Sequence, residues 1–562
     1  MARHFTLRAP CVVPFPGSCP RSAASLALLT LLAGASPAVA EHRAKVISAD
    51  FLSAGSVSDE SGPEVSPDGR WIVFVACESS DECWLASSRR FGEPGDPPLE
   101  LAGPVHGFSF LGAGIDFEIT GDSRRVVYEA STEPDAPNDL WSVAIDGSSA
   151  PVRLNPALLT NESINDYLVT DDGQQVVIEL TRPGADVLLR VAIDGVGGVS
   201  NLDEGDSIRP YLFPAASGNP RLLYFIDTDG DDQLETLTIY LSSTLPFPLW
   251  AGELPTWTNI GSLTFAPDGD TVVLEADIQA DEVDELWSIR TDSANSFHKL
   301  NQALVGGGNV VDFELSSDGR AVFLADAQVD ERFELWSAPI DDSAEPVKLS
   351  GTLVSGGDVR GLRVAGDWAA YIADAAVDAR DELWSVPADG HAAPTRRSDT
   401  VPAGRDVTSF RFTPSGSRLV YRANLGPVDR YDLHTTTTFG LTSHVQLTNR
   451  NILAPNPYSV RAYVVSPDSQ RVAFIVTPDA NWDGVAMEQR LLDPLTTAET
   501  LLEVAGADEG DYFLSYASDS RGLVGDAVLA AGDRREVHLV DEALFVDGFG
   551  SGDRSAWSSS VP

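Results

Sequence analysis

One short pattern, a turn of the Ser-Pro-Asp-Gly type followed by an apolar, β-rich run, recurs along this chain. Its clearest copies are Ser66–Gly69 and Ala266–Gly269. The third position of the turn recurs at intervals of 47 to 54 residues. The ten third positions are Asp68, Asp122, Asp172, Asn219, Asp268, Asp318, Asp367, Ser415, Asp468 and Asp519. A fixed period of this length indicates one supersecondary unit that is repeated and stacked.

The order of segments inside each unit is also constant. An acidic loop follows the apolar run, and a second run with the sequence Leu-Trp-Ser follows the loop in four units, at Leu140–Ser142, Leu286–Ser288, Leu335–Ser337 and Leu383–Ser385. Short β-branched and aromatic runs separated by Asp, Gly and Pro are typical of antiparallel strands. We therefore predict an all-β fold, a β-propeller of about ten four-stranded repeats. A single large ring is favoured, with fewer blades or two rings as alternatives.

The recurring tryptophans are predicted to be core residues. A single sheet cannot bury both of its faces, so large apolar side chains at fixed repeat positions fill the space between neighbouring sheets. The tryptophans are Trp141, Trp287, Trp336 and Trp384.

The repeat resembles that of TolB-type β-propellers. The residues that carry the resemblance are Ser66–Arg70 with the following Trp71–Phe74, and Glu334–Ser337 with its succeeding turn. The resemblance covers about residues 60–540. It implies a propeller fold in an exported bacterial protein. Similar repeats occur in periplasmic scaffolds and in non-catalytic domains of prolyl-oligopeptidase-like enzymes, so the resemblance implies the fold more narrowly than the function.

The sequence divides into four segments. Residues 1–40 have the charged, apolar and small-residue order of a signal peptide, which predicts export to the periplasm or the extracellular space. Residues 41–62 follow as an N-terminal segment, 63–544 hold the repeats, and 545–562 form a Gly/Ser-containing tail. Propeller closure usually combines strands from both chain ends, and the candidates are Lys45–Leu52 and Glu536–Val540.

The charge of the chain restricts its partners. Its formal net charge is −46, which becomes −49 without the three arginines of the signal peptide. Such a field repels nucleic acid and anionic lipid. No later apolar run approaches the length of a bilayer span, so membrane insertion is not expected. A protein, peptide or glycan ligand of unknown identity is the expected partner.

Two cysteines follow the signal peptide, Cys77 and Cys83. They flank the predicted turn of a hairpin, and in an oxidising compartment a disulfide between them is the favoured interpretation. Two free thiols or part of a metal site are the alternatives.

Carboxylates recur with one spacing in the acidic loops of three consecutive units. The pairs are Asp277 with Asp281, Asp326 with Asp330, and Asp374 with Asp378, and a diverged version contains Asp227, Asp229 and Asp231. Clustered carboxylates with turn carbonyls can hold Ca²⁺, which is the one predicted cofactor. The alternative is that these side chains only solvate hairpin tips and protect sheet edges.

No catalytic residues are predicted from motifs. The chain lacks the Gly-x-Ser-x-Gly elbow of prolyl-oligopeptidase-like hydrolases. Its histidines are scattered, with no pair at metal-ligand spacing. The first hypothesis is a non-enzymatic exported binding or scaffold protein. The alternatives are a propeller enzyme that acts on polysaccharide through axial carboxylates, and a structural cell-surface protein.

Overall fold

The protein consists of short antiparallel strands in the computed structural model. The described residues are 42–46, 56–57, 63–79, 82–90, 97–105, 117–133, 136–159, 161–212, 221–227, 233–243, 246–249, 254–256, 258–294, 296–426, 430–448, 459–477, 484–490, 499–504, 514–516, 522–528 and 535–542. All of them belong to one compact unit, His42–Ala543. None of these residues is helical. Within these ranges there is accordingly no helix long and apolar enough to cross a membrane.

The first twenty strands cover the N-terminal half of the chain. They are β1 (His42–Val46), β2 (Ser56–Val57), β3 (Glu64–Val65), β4 (Trp71–Ser79), β5 (Glu82–Arg89), β6 (Leu99–Val105), β7 (Phe117–Ile119), β8 (Arg125–Ala130), β9 (Asp139–Ala144), β10 (Val152–Arg153), β11 (Ser163–Val169), β12 (Gln175–Thr181), β13 (Asp186–Ala192), β14 (Ser200–Leu212), β15 (Arg221–Asp227), β16 (Glu235–Tyr240), β17 (Phe247–Pro248), β18 (Ile260–Phe265), β19 (Thr271–Ala276) and β20 (Glu285–Arg290).

The remaining strands cover the C-terminal half. They are β21 (Phe297–Lys299), β22 (Val310–Leu315), β23 (Arg320–Ala325), β24 (Glu334–Pro339), β25 (Val347–Lys348), β26 (Val359–Ala365), β27 (Trp368–Ala373), β28 (Glu382–Pro387), β29 (Thr395–Arg396), β30 (Val407–Phe412), β31 (Arg418–Ala423), β32 (Asp432–Thr437), β33 (Val445–Gln446), β34 (Ser459–Val465), β35 (Arg471–Thr477), β36 (Gly484–Arg490), β37 (Glu499–Val504), β38 (Leu514–Tyr516), β39 (Gly522–Val528) and β40 (Arg535–Glu542).

Most of these strands form four-stranded antiparallel sheets in chain order. Examples are β18 to β21, β22 to β25, β26 to β29 and β30 to β33. The predicted all-β fold class is therefore confirmed. The first strands of successive sheets are neighbours, as contacts between β18 and β22, β22 and β26, and β26 and β30 show.

The described residues form nine sheets, whereas the repeat count predicts ten units. The difference arises at β14, a 13-residue strand. Its first half pairs with β13 and its second half pairs with β15, so two units merge into one seven-stranded sheet. The weak turn predicted at Ser217–Asn219 lies outside the described residues. At the chain ends, β1 pairs antiparallel with β40, and these strands overlap the segments proposed for closure.

The repeated turn owes its sequence to a set of local hydrogen bonds. In the first copy, the Ser66 hydroxyl donates to Asp68 Oδ1 at 2.7 Å, and the same oxygen accepts from the N–H of Arg70 at 3.0 Å. Gly69 has a φ of 70°, a conformation that glycine adopts without steric cost. The N–H of Asp68 donates to the hydroxyl of Ser123 in the next unit at 2.9 Å. The motif therefore closes its own hairpin and also contacts the neighbouring unit.

The core lies between successive sheets. One cluster joins Leu286 and Leu300 of one sheet to Phe313, Phe323 and Trp336 of the next. Trp287 and Trp336 are 5% and 7% exposed, while Trp141 and Trp384 are partly buried against their clusters. The prediction that the tryptophans pack between sheets is confirmed.

Candidate ligand-binding face

Three acidic loops occupy the same end of their sheets. They are 277–284, 326–333 and 374–381, and each connects the second strand of a sheet to the third. Because the strands are antiparallel, the connections that enter the first strands lie at this end as well, at 300–309, 349–358 and 397–406. We call it the acidic-loop end. The repeated turns lie at the opposite end.

The first aspartate of each loop is a buried structural residue. Asp374 is fully buried, and its Oδ1 accepts from the N–H of Asp358 at 2.6 Å while its Oδ2 accepts from the N–H of Ala379 at 2.9 Å. Asp326 makes the same two bonds, to Asn309 at 2.6 Å and to Glu331 at 2.9 Å. Each carboxylate thus fixes its own loop to the neighbouring connection.

The corresponding aspartate of the remaining loop also accepts a hydrogen bond from the connection that enters its sheet. Asp277 is 4% exposed, and its Oδ1 accepts from the N–H of Asn259 at 2.5 Å. Buried carboxylates that accept backbone N–H groups form charge-assisted hydrogen bonds, which are stronger than neutral ones. The backbone at the acidic-loop end is therefore held by the same device in three sheets.

The second aspartate of each loop is exposed. Asp281, Asp330 and Asp378 all present their carboxylates to solvent. Asp330 lies against Gly307, where an added Cβ would stand 2.7 Å from Asp330 Oδ1, and Gly307 has a φ of +90°. An added Cβ at Gly356 would likewise stand 2.9 Å from Asp378 Oδ1. The equal four-residue spacing therefore separates a structural carboxylate from a displayed one.

A buried glutamate follows each acidic loop, at the first position of the Glu-Leu-Trp-Ser strand. Each is at most 5% exposed and pairs with a cation on the fourth strand of its sheet. The pairs are Glu285 with Lys299 at 2.7 Å, Glu334 with Lys348, and Glu382 with Arg396 at 2.9 Å. A buried charge needs such a partner. These glutamates thus link the third strand to the fourth.

The remaining predicted site residues are placed as follows. Asp227 is buried at the end of β15, whereas Asp229 and Asp231 lie outside the described residues. Within the part of the chain that the structure describes, no group of three or more His, Cys, Asp or Glu side chains is arranged to hold a metal ion. Calcium binding by these loops stays a prediction. Cys77 and Cys83 are joined by a disulfide between the paired strands β4 and β5.

Sequence reasoning missed two partly buried carboxyl groups, Glu275 on the second strand β19 and Glu314 on the first strand β22. Burial raises the pKa of Glu275 to about 7, and the charges of Asp284 and Asp312 add to the rise. Burial also raises the pKa of Glu314 to about 7, against the opposing effects of the N–H of Val364 and of Arg363. Glu314 Oε2 accepts from the Val364 N–H at 2.5 Å. The available signal was the pair Asp312 and Glu314 on a strand that begins a sheet.

No family model and no curated protein matches this sequence. Among solved structures, the chain is similar to a prolyl endopeptidase, with 14% identity and a TM-score of 0.35 over 65% of this chain and 54% of that one. It is also similar to Porphyromonas gingivalis dipeptidyl peptidase 4, with 10% identity and a TM-score of 0.44 over 75% of this chain and 65% of that one. It is also similar to a eukaryotic initiation factor, with 10% identity and a TM-score of 0.39 over 79% of this chain and 87% of that one. The chain thus spans only part of the length of the two peptidases.

The class of protein follows from the chain's own architecture. Successive four-stranded antiparallel sheets, packed face to face with their first strands adjacent, make this protein a β-propeller.

Proposed function

We propose that this chain is a non-enzymatic, exported β-propeller of the TolB type that binds a protein, peptide or glycan partner at its acidic-loop end. One observation supports the proposal above the others. Three consecutive sheets display an exposed aspartate, Asp281, Asp330 or Asp378, at the same position of a loop held by a buried aspartate.

Fixed loops favour binding because little conformational entropy remains to be lost when a partner docks. An ordered row of carboxylates complements a basic patch on a partner. The net charge of −46 increases the association rate for such a partner. Binding residues on loops that a rigid scaffold positions are a common arrangement in proteins.

The test is capture of partners from a cell-envelope extract with three forms of the full chain. The first form is native, and the second carries Asp281→Asn, Asp330→Asn and Asp378→Asn. The control carries Asp→Asn at positions 292, 341 and 389, three exposed aspartates at the opposite end of the same sheets. Both variants lose three negative charges, one set at the acidic-loop end and the other at the opposite end of the same sheets.

We expect the native chain and the control to capture the same partner, and the acidic-loop variant to capture at least about fivefold less, since each surface pair contributes up to about 1 kcal/mol. Equal capture by the two variants would contradict the proposal. Absence of any partner specific to the native chain would contradict it as well.

A second candidate function has its own supporting observation. Glu275 and Glu314 both have a pKa raised to about 7, the range in which a carboxyl group can act as a general acid near neutral pH. If the protein hydrolyses a polysaccharide, Glu275→Gln and Glu314→Gln will each abolish the release of reducing ends. Release that survives both substitutions would reject this candidate.

A further inference from the structure

The sign of the charge reverses on the first strands of three successive sheets. The whole chain has 84 acidic residues against 38 Lys and Arg. Strands β26, β30 and β34 nevertheless contain four arginines and no Asp or Glu. The four are Arg360, Arg363, Arg411 and Arg461. Since first strands line the centre of a propeller, this reversal places positive charge on an inner surface of a strongly acidic protein.

Arg411 and Arg422 both contact residues of the following sheet. Arg411 Cζ lies 5.8 Å from the ring centroid of Tyr463 on the next first strand. Arg422, on the neighbouring strand β31, lies 4.0 Å above the ring of Tyr431 and donates to the carbonyl of Val460 at 2.8 Å. We call three of the first-strand arginines, Arg360, Arg363 and Arg411, together with Arg422 of β31, the arginine row.

Three members of the row act electrostatically on the same buried hydroxyl, that of Tyr463. Burial raises the pKa of the Tyr463 hydroxyl. The charges of Arg411, Arg422 and Arg363 all oppose that rise, so all three guanidinium groups act on one buried phenol.

The members of the row differ in how their charge is compensated. Arg360 Nη1 lies 2.7 Å from Asp381 Oδ1, and Arg363 Nη1 lies 3.2 Å from Glu314 Oε1. Arg411 is exposed and forms no ion pair among the described residues. A charged fork with an aromatic ring beside it and solvent in front is able to bind an anion. Arg411 is therefore the residue through which the row can act.

We propose that the arginine row binds the carboxylate of a peptide ligand, with Arg411 as the principal contact. The planar guanidinium matches a carboxylate in two parallel hydrogen bonds. A long polyanion would also meet the acidic surface around the row, and the whole-chain charge would repel it. A single carboxylate interacts mainly with the arginines beside it, because more distant acidic charges are screened beyond about 10 Å at 0.1 M salt. A local patch of positive charge is therefore sufficient to bind it. The inference rests on the proposed function and narrows its ligand to a peptide.

The experiment uses the full chain, immobilised, and two pools of tetrapeptides that differ only at the C-terminus. One pool has free carboxylates and the other has C-terminal amides, and retention is measured by mass spectrometry. The native chain, Arg411→Gln, Arg411→Lys and a control, Arg124→Gln, are compared. Arg124 suits the control because its side chain is 82% exposed and lies in the turn between β7 and β8, on another sheet.

We expect the native chain and Arg124→Gln to retain the free-carboxylate pool roughly tenfold better than the amide pool, as for the loss of one charged hydrogen bond. Arg411→Gln should reduce the ratio of free-carboxylate to amide retention to about one. Arg411→Lys should retain part of the preference, because lysine keeps the charge but lacks the planar fork of the guanidinium. Melting temperatures establish that each variant is folded.

Equal retention of the two pools by the native chain overturns the inference, as does a preference that survives Arg411→Gln. Polygalacturonate serves as a third probe, and its Arg411-dependent retention in place of the peptides would overturn the peptide assignment. None of these results changes the outcome of partner capture at the acidic-loop end, because that test uses other variants.

Discussion

The buried aspartates of the acidic loops can be tested by replacing Asp374 with Asn. The substitution keeps the size and leaves one oxygen to accept from the N–H of Asp358. The other oxygen, which accepts from the N–H of Ala379 at 2.9 Å, becomes an NH₂ donor that faces a donor. Hydrogen bonds to charged groups contribute about 1.5–3 kcal/mol, so we expect a loss of about 2 kcal/mol.

Hydrogen exchange of the loop measures this loss locally. A loss of about 2 kcal/mol corresponds to roughly thirtyfold faster exchange of the loop amides if they exchange by local opening. Asp378→Asn is the matched control, since the same chemical change at an exposed site should alter stability by less than about 0.5 kcal/mol. Exchange that is equal in the two variants would refute the division of the loop into a structural and a displayed carboxylate.

Three further predictions concern the same end of the molecule. Gly307→Ala should lower the midpoint of urea unfolding, because its positive φ and its 2.7 Å approach to Asp330 do not accommodate a Cβ, whereas Gly306→Ala meets nothing within 4 Å and should not. A glutamate whose folded-state pKa is raised to about 7 makes the protein lose stability as pH rises from about 4.5 to 7. Glu275→Gln should remove on the order of 2 kcal/mol of that loss, as equilibrium unfolding across pH would show. Calcium binding by the acidic loops predicts a higher melting temperature in millimolar CaCl₂ than in EDTA, and an unchanged temperature would reject it.

Local sequence predicted the turns and strands because their causes are local. The Ser66–Gly69 turn needs a hydroxyl, a carboxylate and a glycine at fixed positions, and the sequence contains all three. The spacing of the strands and the tryptophans packed between sheets follow from the same repeat. The merging of two units at β14 could not be predicted, because it depends on one strand pairing on both sides.

The chemistry of the face depends on contacts between sheets, which a single repeat does not encode. Asp326 and Asp330 look equivalent in sequence, yet only the first is buried by the connection that enters its sheet. Burial raises the pKa of Glu275, and the charge of Asp312 in the following sheet adds to the rise. The arginine row becomes visible only when first strands are known to be neighbours.

The most direct test of the account is a hydrogen-exchange footprint of the full chain with its captured partner bound. The account predicts protection of loops 277–284, 326–333 and 374–381 at the acidic-loop end, with no change at the repeated turns of the opposite end. Protection confined to the repeated turns, or no protection in any of the three loops, would contradict it.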